Sequence, residues 1–117
     1  KYYPASLMAL NAAATLAPES SNIHIAIGKT YISTGDYTSA ETSLLQAKKV
    51  AQTPPGELFQ LLSLVYDKTK RYSKAASSLE SMLKNGNYSD ENRNKIKKQI
   101  QEYKAKAIAN NEKPSEN

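Results

Sequence analysis

"TYISTGDYTSAETSLLQAKKV", residues 30–50, decides how this chain folds, because its marks return thirty-five places later. Tyr31 falls on Tyr66, Tyr37 on Tyr72, Ala40 on Ala75 and Leu44 on Leu79. Just upstream, Ile27 falls on Leu62 and Gly28 on Ser63, each time an apolar residue followed by a small one. Four identities at one offset mark an internal repeat, and a period in the thirties points to stacked supersecondary units. The repeated tyrosines, alanines and leucines stand at helical spacing and read as packing residues. The hydroxyls around them have no His or Lys base at a motif spacing, so the stretch gives nucleophilic catalysis no support.

These residues resemble a tetratricopeptide repeat, a helix-turn-helix unit of 34 residues with a sparse pattern of large and small positions. Counted from Ser21, the small eighth residue is Gly28, the aromatic eleventh Tyr31 and the alanine at twenty Ala40. Gly35 is the turn glycine, Tyr37 opens the second helix, and Leu44 and Ala47 take the later large and small places. Pro54 closes the unit two places later than the family's proline. In a second unit counted from Gly56, Phe59, Leu62, Ser63, Tyr66, Tyr72, Ala75 and Leu79 follow in order. Two positions depart from the pattern. Lys70 replaces the turn glycine, at a cost of about 1 kcal/mol if its backbone is left-handed. Met82 replaces the alanine at twenty-seven, where a tolerant side chain fills a wider helix contact.

Before these units, Pro18, Leu16, Ala13, Leu10 and Tyr3 fall on the marks of a second helix whose first helix lies upstream. That reading leaves Leu7, Leu10 and Ala13 as an exposed apolar face, and pairing of two chains through residues 1–18 follows from it. After them, Ile96, Ile100, Tyr103, Ala107 and Ile108 form one apolar stripe on a charged helix. A terminal repeat covers the last core and faces water on its other side, so this helix is expected to cap the array. Lys97 takes the small eighth place if Asp90 is counted first, which suits a helix with nothing packed beyond it.

The resemblance implies an all-α right-handed solenoid over residues 1–110: a half unit at 1–18, units at 21–54 and 56–89, and a capping helix at 90–110. Residues 111–117, "NEKPSEN", read as a disordered tail. Local chemistry predicts helices near 21–33, 37–51, 55–68 and 72–84, with Ser20 or Ser21 and Ser89 as N-caps and Gly35 just past a helix end.

With the marked residues spent on packing, function falls to the positions the pattern leaves free. In the family the first helix of each unit lines the concave face. Here that implies Asn22, Ile25, Lys29, Ile32 and Ser33 in one unit, and Glu57, Gln60, Leu64, Asp67 and Lys68 in the next. The implied function is a non-catalytic scaffold that binds a protein or peptide partner, with apolar side chains carrying affinity and charges setting register. A chaperone-carboxylate clamp would need Lys and Asn at the fifth and ninth places, which hold Ile25 and Lys29, then Gln60 and Leu64. An accessory domain at the C-terminal end of a larger protein, such as a bacterial membrane or envelope enzyme, is the second expectation.

Composition excludes more than it identifies. The 117 residues carry no Cys and a single His24, so thiolate metal sites and disulfides are absent and no cofactor or metal is expected. His24 stands at a usually aromatic place and is expected to pack half-exposed. The net charge of +5 is spread as +1, +2 and +2 over residues 1–55, 56–89 and 90–117. No basic stripe with interleaved aromatics emerges, which argues against nucleic acid. The Lys-rich last helix alternates with Glu as a solvated face does, rather than as a membrane-binding one. No apolar run approaches the roughly 18 residues of a membrane span. Asn87-Tyr88-Ser89 matches a glycosylation sequon, a three-residue pattern too short to stand alone.

Overall fold

The computed structural model describes residues 5–113. It is helical, with α1 (Ala5–Leu16), α2 (Ser21–Thr34), α3 (Tyr37–Val50), α4 (Gly56–Lys68), α5 (Tyr72–Asn85) and α6 (Asp90–Ala109). The chain divides into two compact units at Pro54 and Pro55. Tyr3 and residues 114–117 of the expected tail lie outside the described residues.

In the first unit α2 packs along α3, and α1 packs on α2. The α2–α3 approach depends on Gly28, because a Cβ there would sit 2.7 Å from both Cγ and Cδ2 of Leu44. Ala40, Leu44 and Ala47 are fully covered on the α3 side. Large and small residues thus interlock across the pair. Ser20 caps α2 by accepting from the Ile23 N–H at 3.4 Å, and Asp36 caps α3 by accepting from the Ser39 N–H at 3.1 Å. Between them Gly35 takes a left-handed φ of 79°. Its N–H donates to the Ile32 carbonyl and that of Asp36 to the Tyr31 carbonyl, both at 3.0 Å, which closes the helix end.

The face of α1 that the sequence leaves exposed is largely covered. Leu7 is only 1% exposed, and Leu10 and Ala13 are half-buried. The apolar side chains that α1 shows to water are Met8 and Leu16, the latter 87% exposed. The physical reason is that α1 buries its Leu7 stripe when it packs on α2, so the face proposed for pairing between chains is already used within one chain.

In the second unit α5 lies between α4 and α6 and packs on both. Leu58, Leu62 and Val65 of α4, Ala75 and Leu79 of α5, and Ile100 and Tyr103 of α6 are buried. Met82 is buried as well, filling the place where the first unit has Ala47. Lys70 adopts φ 58°, so the left-handed turn persists without its glycine. The end of α4 is hydrogen-bonded as the end of α2 is, Lys70 N–H to Asp67 O at 3.0 Å and Arg71 N–H to Tyr66 O at 2.7 Å. Ser89 caps α6 through the Asn92 N–H at 3.2 Å, so the sequon's serine is a helix cap.

The tail also differs from expectation at its start. Asn111 is left-handed at φ 55°, its N–H bonds the Ile108 carbonyl, and the Glu112 N–H bonds that of Ala107 at 2.9 Å. Order therefore runs past Asn111 because α6 ends in the same closing motif as α2 and α4, and Asn is among the few residues that adopt αL readily.

Candidate functional site

On α2, Asn22, Ile25, Lys29, Ile32 and Ser33 follow one another at steps of three, four, three and one, which places them along one side of the helix. Asn22, Lys29 and Ser33 are exposed and Ile32 is half-buried. Ile25 is only 5% exposed, so the apolar area open on this face belongs to Ile32. The Ser33 hydroxyl donates to the Thr30 carbonyl at 2.7 Å, and that of Thr30 to Ala26 at 2.9 Å. These hydroxyls close on their own helix. His24, half-buried as expected, donates from Nε2 to the Pro18 carbonyl at 2.8 Å and so ties the start of α2 to the turn before it.

On α4, Glu57, Gln60 and Lys68 are exposed, while Leu64 and Asp67 are half-buried. Leu64 is flanked by Leu62, Ser63, Val65 and Tyr66, all buried. It is the residue of that run left partly in water. Asp67 is engaged: one carboxylate oxygen accepts from the Tyr103 hydroxyl of α6 at 3.0 Å. Tyr103 stacks on Tyr72 with ring centroids 6.3 Å apart, and the Lys106 ammonium lies 5.6 Å and 5.7 Å from the two ring centres. Burial, and then the bond to Asp67, push the Tyr103 phenol up to about 12. The phenol therefore stays a donor to Asp67 at any physiological pH, which ties this α4 carboxylate to α6.

The sequence missed a second carboxylate. Glu112 accepts from the Tyr72 N–H at 3.1 Å and the Ser73 N–H at 3.0 Å, the first amides of α5, and from Asn110 Nδ2 at 3.0 Å. Burial works against its ionised form, but the bonds from Asn110 and from the Ser73 and Tyr72 amides outweigh it and hold its carboxyl below the ordinary range. A signal was present. Arg71 stands thirty-five places after the capping Asp36 and has no acceptor to offer, so α5 lacks a cap from its own turn.

An open cleft of about 490 Å³ lies between α5 and α6, with Leu83 and Ile100 in its lining and Lys84, Arg93, Lys97 and Lys104 around them. Lys104 is bonded to Glu80 across the two helices at 3.2 Å. Among the described residues no group of His, Asp and Glu is placed to hold a metal ion, and no helix is long and apolar enough to cross a membrane.

Residues 21–54 match the family model described as tetratricopeptide repeat. No curated protein matches the chain. The matched segment begins on the first residue of α2 and ends four residues beyond α3, so it covers the pair that Gly28 and Leu44 hold together. Repeats of this family generally mediate protein–protein interaction and are typically non-catalytic scaffolds. The α2–α3 helix pair thus matches one tetratricopeptide repeat, within a chain whose described residues form an all-α helical repeat.

Proposed function

We propose that this chain is a non-catalytic scaffold that binds a protein or peptide partner on the concave face of its repeat array. The contacts are Asn22, Lys29, Ile32 and Ser33 on α2, and Gln60, Leu64, Asp67 and Lys68 on α4, with the buried Ile25 behind them rather than among them. The observation that carries the reading is Leu64, an apolar side chain left half-exposed between four buried neighbours, with Ile32 half-exposed on α2. The packing of either helix does not require these two in water, so their area is available to a partner. Asp67, held by Tyr103, offers its carboxylate in one orientation and with little entropy left to lose. Lys29 and Lys68 supply charge beside the apolar area and set the register of a bound segment.

Ile32→Glu combined with Leu64→Glu is the test. Partner capture in a pull-down should be abolished while the helical circular dichroism stays intact. Capture retained at the wild-type level overturns the assignment of the face.

A further inference from the structure

The cleft between α5 and α6 belongs to neither face above. Its position follows from the repeat. In α2 the eighth residue, Gly28, is where the second helix of the unit packs, against Leu44. Counted from Asp90, the same place on α6 is Lys97, which lines the cleft. The cleft therefore lies along the side of α6 that corresponds to the α3-bearing side of α2. No helix fills it among the described residues, and a lysine stands where close helix packing uses glycine.

That substitution says what the cleft accepts. A side chain as long as Lys97 holds a neighbouring backbone away, but its ammonium reaches an acidic group at that distance. Lys84, Arg93 and Lys97 make no ion pair among the described residues, and Lys84 and Lys97 are exposed. Lys104 is balanced by Glu80, which leaves three uncompensated positive charges around an apolar lining. The lining has no aromatic side chain, so it provides no platform for stacked bases.

We propose that the α5–α6 cleft docks an acidic segment of a partner protein, with an apolar side chain seated against Leu83 above the nearly covered Ile100 and carboxylates paired to Lys84, Arg93 and Lys97. Charge complementarity selects the occupant, and the recessed apolar lining limits it to a segment narrow enough to enter.

The experiment titrates the full chain against a labelled synthetic peptide in which glutamates flank two leucines, followed by fluorescence anisotropy and amide chemical shifts. Saturable binding is expected, with shifts centred on Leu83, Lys84, Lys97 and Ile100. Exchanging the peptide's glutamates for glutamines, or introducing Lys84→Glu with Lys97→Glu, should weaken binding at least about tenfold. Both lysines are exposed and make no ion pair among the described residues, and an unchanged thermal melt confirms that the variant folds. Ile32→Glu with Leu64→Glu should leave this binding intact, which separates the cleft from the proposed concave face. Equal binding by the charge-reversed variant, shifts centred on α2 or α4, or binding to phosphatidylserine vesicles with none to the peptide would each overturn the proposal.

Discussion

Replacing Glu112 with Ala removes one side chain and leaves two backbone donors at the start of α5 without their partner. The Tyr72 and Ser73 amides donate to the two oxygens of this carboxylate at 3.1 Å and 3.0 Å, and Arg71 offers no replacement. Loss of a capping acceptor costs about 0.5–2 kcal/mol. A carboxylate beside a helix N-terminus contributes about 0.3–1 kcal/mol through the helix dipole. The two overlap, and Glu112 is half-buried, so water takes over part of the role. A net loss of about 1 kcal/mol is expected, which lowers Tm by about 4 °C. Amide exchange at Tyr72 and Ser73 should quicken more than elsewhere in α5. The dependence on pH adds a second check. The carboxyl is held below its ordinary range in the folded chain, so its contribution is present above the unfolded value of about 4.3. It is lost as pH falls through the folded value, because protonation then costs the folded state its capping anion. The Tm gap between wild type and Glu112→Ala should be full at neutral pH and close in acid. An unchanged Tm at neutral pH, or a gap undiminished well below the unfolded value, would refute the capping role.

Lys70→Gly should stabilise the chain by about 0.5–1 kcal/mol, because relief of a left-handed non-glycine backbone exceeds the extra entropy glycine gives the unfolded state. Lys70 has φ 58°, and a thermal melt checks the direction. Tyr103→Phe keeps the ring on Tyr72 but removes the donor to Asp67, at a cost of about 1–2 kcal/mol in a denaturant titration near neutral pH. The phenol is pushed up to about 12, by burial first and then by Asp67. Its contribution is therefore present below the unfolded value of about 10 and lost as pH rises through the folded one, so the gap between wild type and Tyr103→Phe should narrow in that interval.

The parts of this fold that were legible in the sequence are those where one residue type suits one place. Gly28, Gly35, Ala40 and Leu44 each answer to a local demand for size or backbone freedom, and recurrence at a fixed offset multiplied that signal. The turn at Lys70 shows its limit, since the backbone there keeps the left-handed form and the surrounding hydrogen bonds carry it without glycine. Leu7 was misjudged because an amphipathic helix announces that it has an apolar side but not which neighbour will cover it. On the candidate faces, spacing along α2 and α4 was readable, but the burial of Ile25 and the bond from Tyr103 to Asp67 depend on what packs around each helix. Arg71 signals that α5 needs a cap from elsewhere but not that Glu112 supplies it, because the partners of Glu112 are about forty residues away and are backbone amides, which leave no mark on residue identity.

The three ends of α2, α4 and α6 explain why Glu112 is where it is. Each closes with a left-handed residue, Gly35, Lys70 or Asn111, and the residue after it is delivered to a fixed place just beyond the helix. After α2 that residue is Asp36, which caps the next helix. After α4 it is Arg71, which cannot accept an amide and whose positive charge is unfavourable at a helix N-terminus. Its guanidinium instead lies over the Tyr66 ring at 4.9 Å. The amides of α5 are left for another element, and α6 has the length to supply it. At 20 residues against 14 for α2, it runs about 9 Å further along its axis before closing. Asn110 then donates to the Lys70 carbonyl at 3.2 Å, and Glu112 lands on the start of α5. Where the first unit has Asp36 the second has Arg71 and no cap of its own, and the same closing motif, moved along by a longer last helix, supplies one.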